Sequence, residues 1–226
     1  MIATTQPISR QRLMIADLLR QLGGISPDRV RLSPLPGTAV EQDVLDIQAN
    51  EGRLCELVDG TLVEKPMGLR ESVLGLAIAG ALRAFVIPRN LGLVAGEAGM
   101  FRLFPGCIRM PDVACASHAR RKGRPITAPA PDMAPDLAVE VLSESNTVAE
   151  MNRKRDEYFS STVKLVWIFD PRALTVAVYT SVNDPTILNR ADILDGGDVL
   201  PGFSVPIKSL FDEVDQQLGT PPPFAE

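Results

Sequence analysis

Histidine is nearly missing from this chain: His118 is the only one in 226 residues. A Ser-His-Asp triad would have to use it, and no G-x-S-x-G turn is present to carry the nucleophile, so that chemistry is not expected. Cysteine is scarce as well. Cys55, Cys107 and Cys115 are odd in number and irregular in spacing, which argues against a disulfide framework. A zinc site would need all three with His118, and only Cys115 and His118 are close in sequence. No apolar run reaches the length of a membrane span, and the longest, Val73 to Val86, is interrupted by Arg83. The opening "MIATTQPISRQR" lacks the apolar core of a signal peptide. A cytoplasmic protein with no membrane contact is expected, and its chemistry is left to carboxylates and lysine.

What is present suits one large domain, or one domain with an arm: hydrophobic residues make up 45%, enough for a core. The net charge of −5 does not fit a protein that coats nucleic acid nonspecifically. It leaves room for an enzyme that gathers positive charge at one cleft and adds a divalent cation.

Along the chain, residues 5 to 23 read as an amphipathic helix, with Leu13, Met14, Ala16, Leu18, Leu19 and Leu22 at helical spacing and Gly23-Gly24 as the stop. Its apolar stripe needs a cover, and a partner chain would supply one. Residues 24 to 40 read as a linking segment, and Asp43 to Asn50 as a short helix. "CELVDGTLVEKP" is a hairpin around Asp59-Gly60, a pair suited to a type I′ turn. Arg70 to Phe85 carries a core stripe at three- and four-residue steps, the mark of a long helix. Strands follow at Gly92 to Ala95, Met100 to Leu103 and "IRMPDVACA", then a basic, Pro-rich loop and the apolar strand of "PDLAVEVLSESN". "NTVAEMNRKRDEYFSS" is a helix opened by Thr147 and Glu150 at capping-box spacing. "VKLVWIF" and "LTVAVYT" are two strands joined at Asp170-Pro171, and a last strand-turn element lies in "LPGFSVPIKSLF". This order predicts an α/β (α+β) domain: a mixed central sheet flanked by helices, with an N-terminal helical extension.

Within the strand at Leu137 to Leu142 sits Glu140. A carboxylate in a doubly buried strand must be protonated, ion-paired or bound to a metal. Asp112 is a candidate companion. Pro111 breaks the strand at that point, so Asp112 projects from a bend where two strands part. Two such carboxylates would repel unless a cation lies between them, and a hard ion such as Mg²⁺ or Mn²⁺ suits oxygen ligands. Met151, Lys154 and Tyr158 share one helix face, which carries the Lys154 ammonium toward the sheet, while Arg153, Asp156 and Glu157 point elsewhere. Carboxylates with an inward lysine suit phosphodiester hydrolysis. A plain buried Glu140–Lys154 ion pair is the other reading. The run "RRKGR", Arg120 to Arg124, is either a solvated loop or a nucleic-acid contact.

The stretches "CELVDG", "PDVA", "PDLAVEVLSESNT", "RKRDEY", "LVWIFDP" and "LPGF", in this order from about Asp43 to Phe211, resemble the Uma2 family. That family is placed in the PD-(D/E)XK nuclease superfamily, so the resemblance implies a restriction-endonuclease-like fold. It implies a metal-dependent endonuclease using Mg²⁺ or Mn²⁺ on nucleic acid, DNA first. Asp112 and Glu140 match the two metal carboxylates, and Glu56 an accessory acid. The superfamily lysine would fall two residues after the second acid, where this chain has Leu142, and in Uma2-like sequences a helical lysine, here Lys154, takes its place. Related sequences carry a histidine near the start of the "MGLRES" helix, and this chain has none. The rival expectation is therefore a catalytically impaired nuclease fold serving as a binding or regulatory module. A homodimer is expected in either case. The resulting division is an N-terminal helical extension (1–42), a Uma2-like nuclease domain (43–213) and a Pro-rich tail (214–226).

Overall fold

The computed structural model of the chain describes residues 14–66, 68–121 and 125–219. Asp59 and Gly60 both adopt left-handed backbone, with φ of 48° and 68°, and so close the expected type I′ hairpin between β1 (Cys55–Val58) and β2 (Thr61–Glu64). Two further strands, β4 (Phe101–Phe104) and β5 (Cys107–Arg109), extend this hairpin into an antiparallel sheet of order β2-β1-β5-β4.

Pro111 then diverts the chain. Directly after it, β6 (Val113–Ser117) leaves this sheet and enters a second one, so "IRMPDVACA" is two strands in two sheets with Asp112 at the parting. The second sheet also holds β3 (Gly92–Gly96), β7 (Leu137–Val141), β8 (Leu165–Asp170), β9 (Thr175–Tyr179) and β10 (Thr186–Asn189). Its order is β10-β9-β8-β7-β6-β3, and only β7 and β8 run parallel. A parallel pair needs a crossover, and helix α4 (Val148–Ser160) supplies it.

Strand alternation gives the sheet two unlike faces. Val113, Cys115, Leu137, Val139, Leu165, Trp167 and Phe169 point toward α3 (Leu69–Val86) and α5 (Ile207–Leu218), in a large apolar core with Leu74, Ile78, Leu82 and Phe211. On the opposite face Ala114, Ala116 and Ala138 leave room for α4, whose Met151 and Tyr158 pack there. Glu140 lies on this second face.

The mixed sheet flanked by helices is thus as expected, with differences at both ends. Helix α1 spans Ile15–Gln21, and the expected start of that helix, residues 5–13, lies outside the described residues. Part of its stripe is covered by its own chain, with Leu18, Leu22 and Ile25 packing on Val58 and Val63 of the hairpin, while Met14 and Ala16 stay exposed. Beyond it, the linking segment leads to α2 (Glu41–Glu51). At the other end, "LPGFSVPIKSLF" divides into β12 (Leu200–Pro206), paired with β11 (Ile193–Gly196), and α5, which runs on to Leu218. Helix continues past position 214 because Phe211 and Val214 are buried against the large core.

Phe211 stacks edge-on with Phe169, ring centroids 6.3 Å apart. Phe211→Ala is expected to lower unfolding free energy by about 3–5 kcal/mol, read from the urea midpoint at unchanged slope. A loss below about 1 kcal/mol would mean that α5 is peripheral to the core.

Candidate active site

Glu56, Arg109, Asp112, Glu140 and Lys154 come from β1, β5, the strand parting, β7 and α4, and the fold brings them to one region. Glu140 and Lys154 are 4% and 2% exposed, and Glu56 only 1%. The Lys154 Nζ lies 3.1 Å from Glu140 Oε2 and 3.2 Å from Glu56 Oε1. One turn further along α4, the Tyr158 hydroxyl donates to Glu140 Oε1 at 2.5 Å. The shared face of Met151, Lys154 and Tyr158 is therefore the buried one, as the spacing predicts.

Glu56 is held from its other side. Arg109 donates to its Oε2 at 2.7 Å, and the Met110 amide to its Oε1 at 3.1 Å. Arg109 is itself shared with Glu157, at 2.6 Å. Glu157 thus takes part in the cluster, although helical spacing puts it off the Lys154 face, because β5 flanks α4 and offers it a buried guanidinium.

Asp112 does not bond to Glu140. Its Oδ1 lies 2.7 Å from Lys65 Nζ, and its Oδ2 accepts from the Val141 amide at 2.6 Å. Asp112, Glu140, Lys65 and Lys154 all line one cleft of about 210 Å³, bounded by the start of α3 and by Ser143 and Asn146. Gly75 of α3 faces Asp112 across the cleft, and a Cβ there would make an ordinary contact with the Asp112 Cβ at 4.0 Å. Glu56 does not line the cleft; it stands behind Lys154.

The charges sort the two glutamates in opposite directions. Burial pushes the Glu56 carboxyl up, but Lys154, Arg109 and the Met110 amide outweigh burial and bring it down to about 2. Burial raises Glu140 too, and there Lys154 does not prevail, because Asp112 and Glu56 add negative charge nearby. Burial would lower the Lys154 ammonium, yet Glu140 and then Glu56 overcome it and raise it, so it stays charged. Tyr158 is raised by burial and by Glu140, and remains a proton donor. The three cysteines are buried free thiols; Cys107 touches the edge of the cluster, its thiol donating to Glu157 at 3.8 Å, and burial lifts Cys115 to about 12.

Lys65 and Arg109 are site residues that sequence reasoning missed. Arg109 had a signal: a charge inside the apolar run "CIRM" poses the same question as Glu140 in its strand. Lys65 had none, since its meeting with Asp112 depends on how the hairpin docks. Elsewhere, Arg120 of the basic run pairs with Asp136 at 2.7 Å and Arg121 bonds to His118, while Lys122 to Arg124 lie outside the described residues.

Two hard carboxylates opening on a cleft are a donor set that Mg²⁺ or Mn²⁺ accepts, with water or phosphate oxygens completing the shell. Burial first, and then the charge of Asp112, raise the Glu140 carboxyl, so the two carboxylates are close enough to repel. Among the described residues no three His, Cys, Asp or Glu side chains form a metal-holding group.

The depressed Glu56 carboxyl gives the fold a pH signature. Its stabilisation is complete above about pH 5 and is lost as pH falls through the folded value of about 2. Glu56→Gln is expected to cost about 3 kcal/mol at pH 7, with the gap to wild type closing below about pH 5 in urea titrations. A gap independent of pH would show that the charge on Glu56 does not stabilise the fold.

Residues 41–208 match the model of the Uma2 family, described as "Putative restriction endonuclease". Among solved structures, the fold is similar to "a putative nuclease belonging to DUF820 from Anabaena variabilis", at TM-score 0.64 and 19% identity. That likeness covers 71% of this chain and 91% of the other, and at such identity it establishes the fold. No curated protein matches the sequence. Among the described residues, no helix is long and apolar enough to cross a membrane. The matched span takes in Glu56, Asp112, Glu140 and Lys154 together, and this chain belongs to the Uma2 family.

Proposed function

We propose that the protein is a metal-dependent nuclease that hydrolyses phosphodiester bonds, with DNA as its first candidate substrate. The observation that carries this reading is the convergence of Asp112, Glu140 and Lys154 on one cleft from three separate elements. Asp112 and Glu140 would hold Mg²⁺ or Mn²⁺, which when bound supplies Lewis-acid charge to the phosphate. Lys154 presents a fixed positive charge to the developing negative charge on the phosphorus oxygens. Because its ammonium is held charged, it acts as an electrostatic group and not as a proton acceptor. Glu56, buried behind it, orients Lys154 and leaves the cleft to Asp112 and Glu140. Lys65 brings a second positive charge to the cleft wall.

One observation favours the second reading, a nuclease fold that only binds. Each oxygen of Asp112 and Glu140 already has a donor within the chain: Lys65, the Val141 amide, Lys154 and Tyr158. A site content with these partners would have no use for a metal.

Cleavage of mixed DNA and RNA substrates with Mg²⁺ or Mn²⁺ separates the two. The nuclease reading predicts cleavage by wild type and a fall of about 100-fold or more in Asp112→Asn and in Glu140→Gln, with folds intact by circular dichroism. It also predicts metal-induced stabilisation of about 2.7 kcal/mol at one hundred times the dissociation constant, abolished by Asp112→Asn. Neither cleavage nor a metal-induced shift in wild type would leave the binding module as the function.

A further inference from the structure

The family match begins at residue 41, yet a side chain from before that point is tied by hydrogen bonds, through Glu150, to the wall of the cleft. Arg29, 7% exposed, follows Pro27 in a short 3-10 turn. It donates through both terminal nitrogens to Glu150, at 2.7 and 3.1 Å, and through Nε to the Glu64 carbonyl at 3.0 Å. Glu150 is the residue whose spacing from Thr147 predicts a reciprocal capping box. Only half of that box forms: Thr147 Oγ1 accepts from the Glu150 amide at 3.0 Å, while the Glu150 carboxylate turns away to Arg29 and Asn146.

Asn146 continues the connection. Its Nδ2 donates to Glu150 at 2.9 Å, and its Oδ1 accepts from the Ser143 amide at 2.9 Å and the Ser143 hydroxyl at 3.0 Å. Ser143 and Asn146 line the cleft. An unbroken run of hydrogen bonds thus links a buried guanidinium of the arm to the loop that follows the Glu140 strand.

The arm also seats on the start of α4, the helix that carries Lys154. The Gly23 carbonyl accepts from Thr147 Oγ1 at 2.5 Å, and the Gln21 carbonyl from Arg153 at 2.5 Å. Gly23 has φ of 88°, and a Cβ there would fall 2.5 Å from the Glu150 backbone nitrogen. Only glycine permits this approach.

We propose that residues 21–29 form a strap on which the cleft depends, and that Arg29 is a positioning residue for the Ser143–Asn146 loop, acting through Glu150. Its planar fork suits the task, because a bidentate grip fixes the direction of the Glu150 carboxylate and so aims Oε2, which also accepts from Arg29, at Asn146. The consequence for catalysis rests on the nuclease reading above; the positioning itself does not.

The test is hydrogen exchange of the full chain, read residue by residue by nuclear magnetic resonance. Arg29→Met is expected to speed exchange of the Ser143 amide at least tenfold, while the Leu142 amide, bonded to the Phe169 carbonyl, keeps its wild-type rate. Arg29→Lys, which keeps the charge but not the fork, should restore Ser143 only in part, and it is the variant to read should Arg29→Met not fold. From the other side, Gly23→Ala should speed Ser143 as well. Gly24→Ala should not, since Gly24 has a similar φ of 71° and nothing within 4 Å of its added Cβ. Faster exchange confined to the arm and the 55–64 hairpin, with Ser143 unchanged, would overturn the proposal and leave Arg29 as a packing residue. If wild type cleaves nucleic acid, the same variants should lower cleavage in parallel with Ser143 protection. If wild type cleaves nothing, the nuclease reading fails while the exchange result still decides the role of Arg29.

Discussion

The buried ammonium of Lys154 is the point on which this structure turns. Among the described residues it is the one side-chain charge ion-paired with both Glu140, from the second sheet, and Glu56, from the first. Removing one member of a buried ion pair leaves an uncompensated charge and costs about 3–5 kcal/mol, so neither glutamate tolerates its loss. The cluster is nevertheless uneven. Glu56 is paired directly with two cations, Lys154 and Arg109, whereas Glu140 is paired directly with one, accepts from a tyrosine hydroxyl and has two negative neighbours; Lys65 acts on both from farther off. That unevenness makes Glu56 a firmly ionised anchor and leaves Glu140, beside the cleft, the carboxylate with the most to gain from added positive charge.

Two features of the sequence make the cluster possible. Small residues at Ala114, Ala116 and Ala138 lower the sheet surface under α4, so that Lys154 and Tyr158 reach Glu140. Pro111, without an amide hydrogen, ends the first sheet's ladder and swings β6 into the second, leaving Asp112 on the seam. The carboxylates are thus presented by backbone geometry that packing alone maintains.

What could be read from the sequence follows the range of the forces involved. The hairpin turn, the α3 stripe, the Lys154 face and the strand break at Asp112 are local consequences of φ preference and periodicity, and they are present in the structure. The ties among Lys65 and Asp112, Arg109 and Glu157, and Arg29 and Glu150 join residues far apart in the chain, and no local pattern marks them. Glu150 shows the limit well. Its spacing from Thr147 is a sound capping signal, but a buried guanidinium offers the carboxylate a stronger partner than a backbone amide does, and the long-range bond prevails. Helix α5 departs from its local signals for a long-range reason as well: its sequence opens in a turn-rich stretch and approaches a proline-rich end, yet Phe211 and Val214 find a core face prepared by β8 and α3.

The full engagement of the Asp112 and Glu140 oxygens does not by itself decide between catalysis and binding. A carboxylate oxygen has two lone pairs, so one donor on each still leaves a position for a cation or a water. The donors differ in how readily they yield. Tyr158 and Lys154 are fixed in the packed face of α4, and the Val141 amide is part of the backbone. Lys65 follows the hairpin at the cleft wall, its side chain 5% exposed, and its ammonium reaches both Asp112 and, at 3.5 Å, the Glu97 carbonyl. Of the four donors it is the one carried neither by α4 nor by the β7 backbone, so it is the partner that a divalent cation at the proposed site would displace. The closed network is thus compatible with the proposed nuclease site, where Lys65 would balance the charge of Asp112 whenever no cation does so.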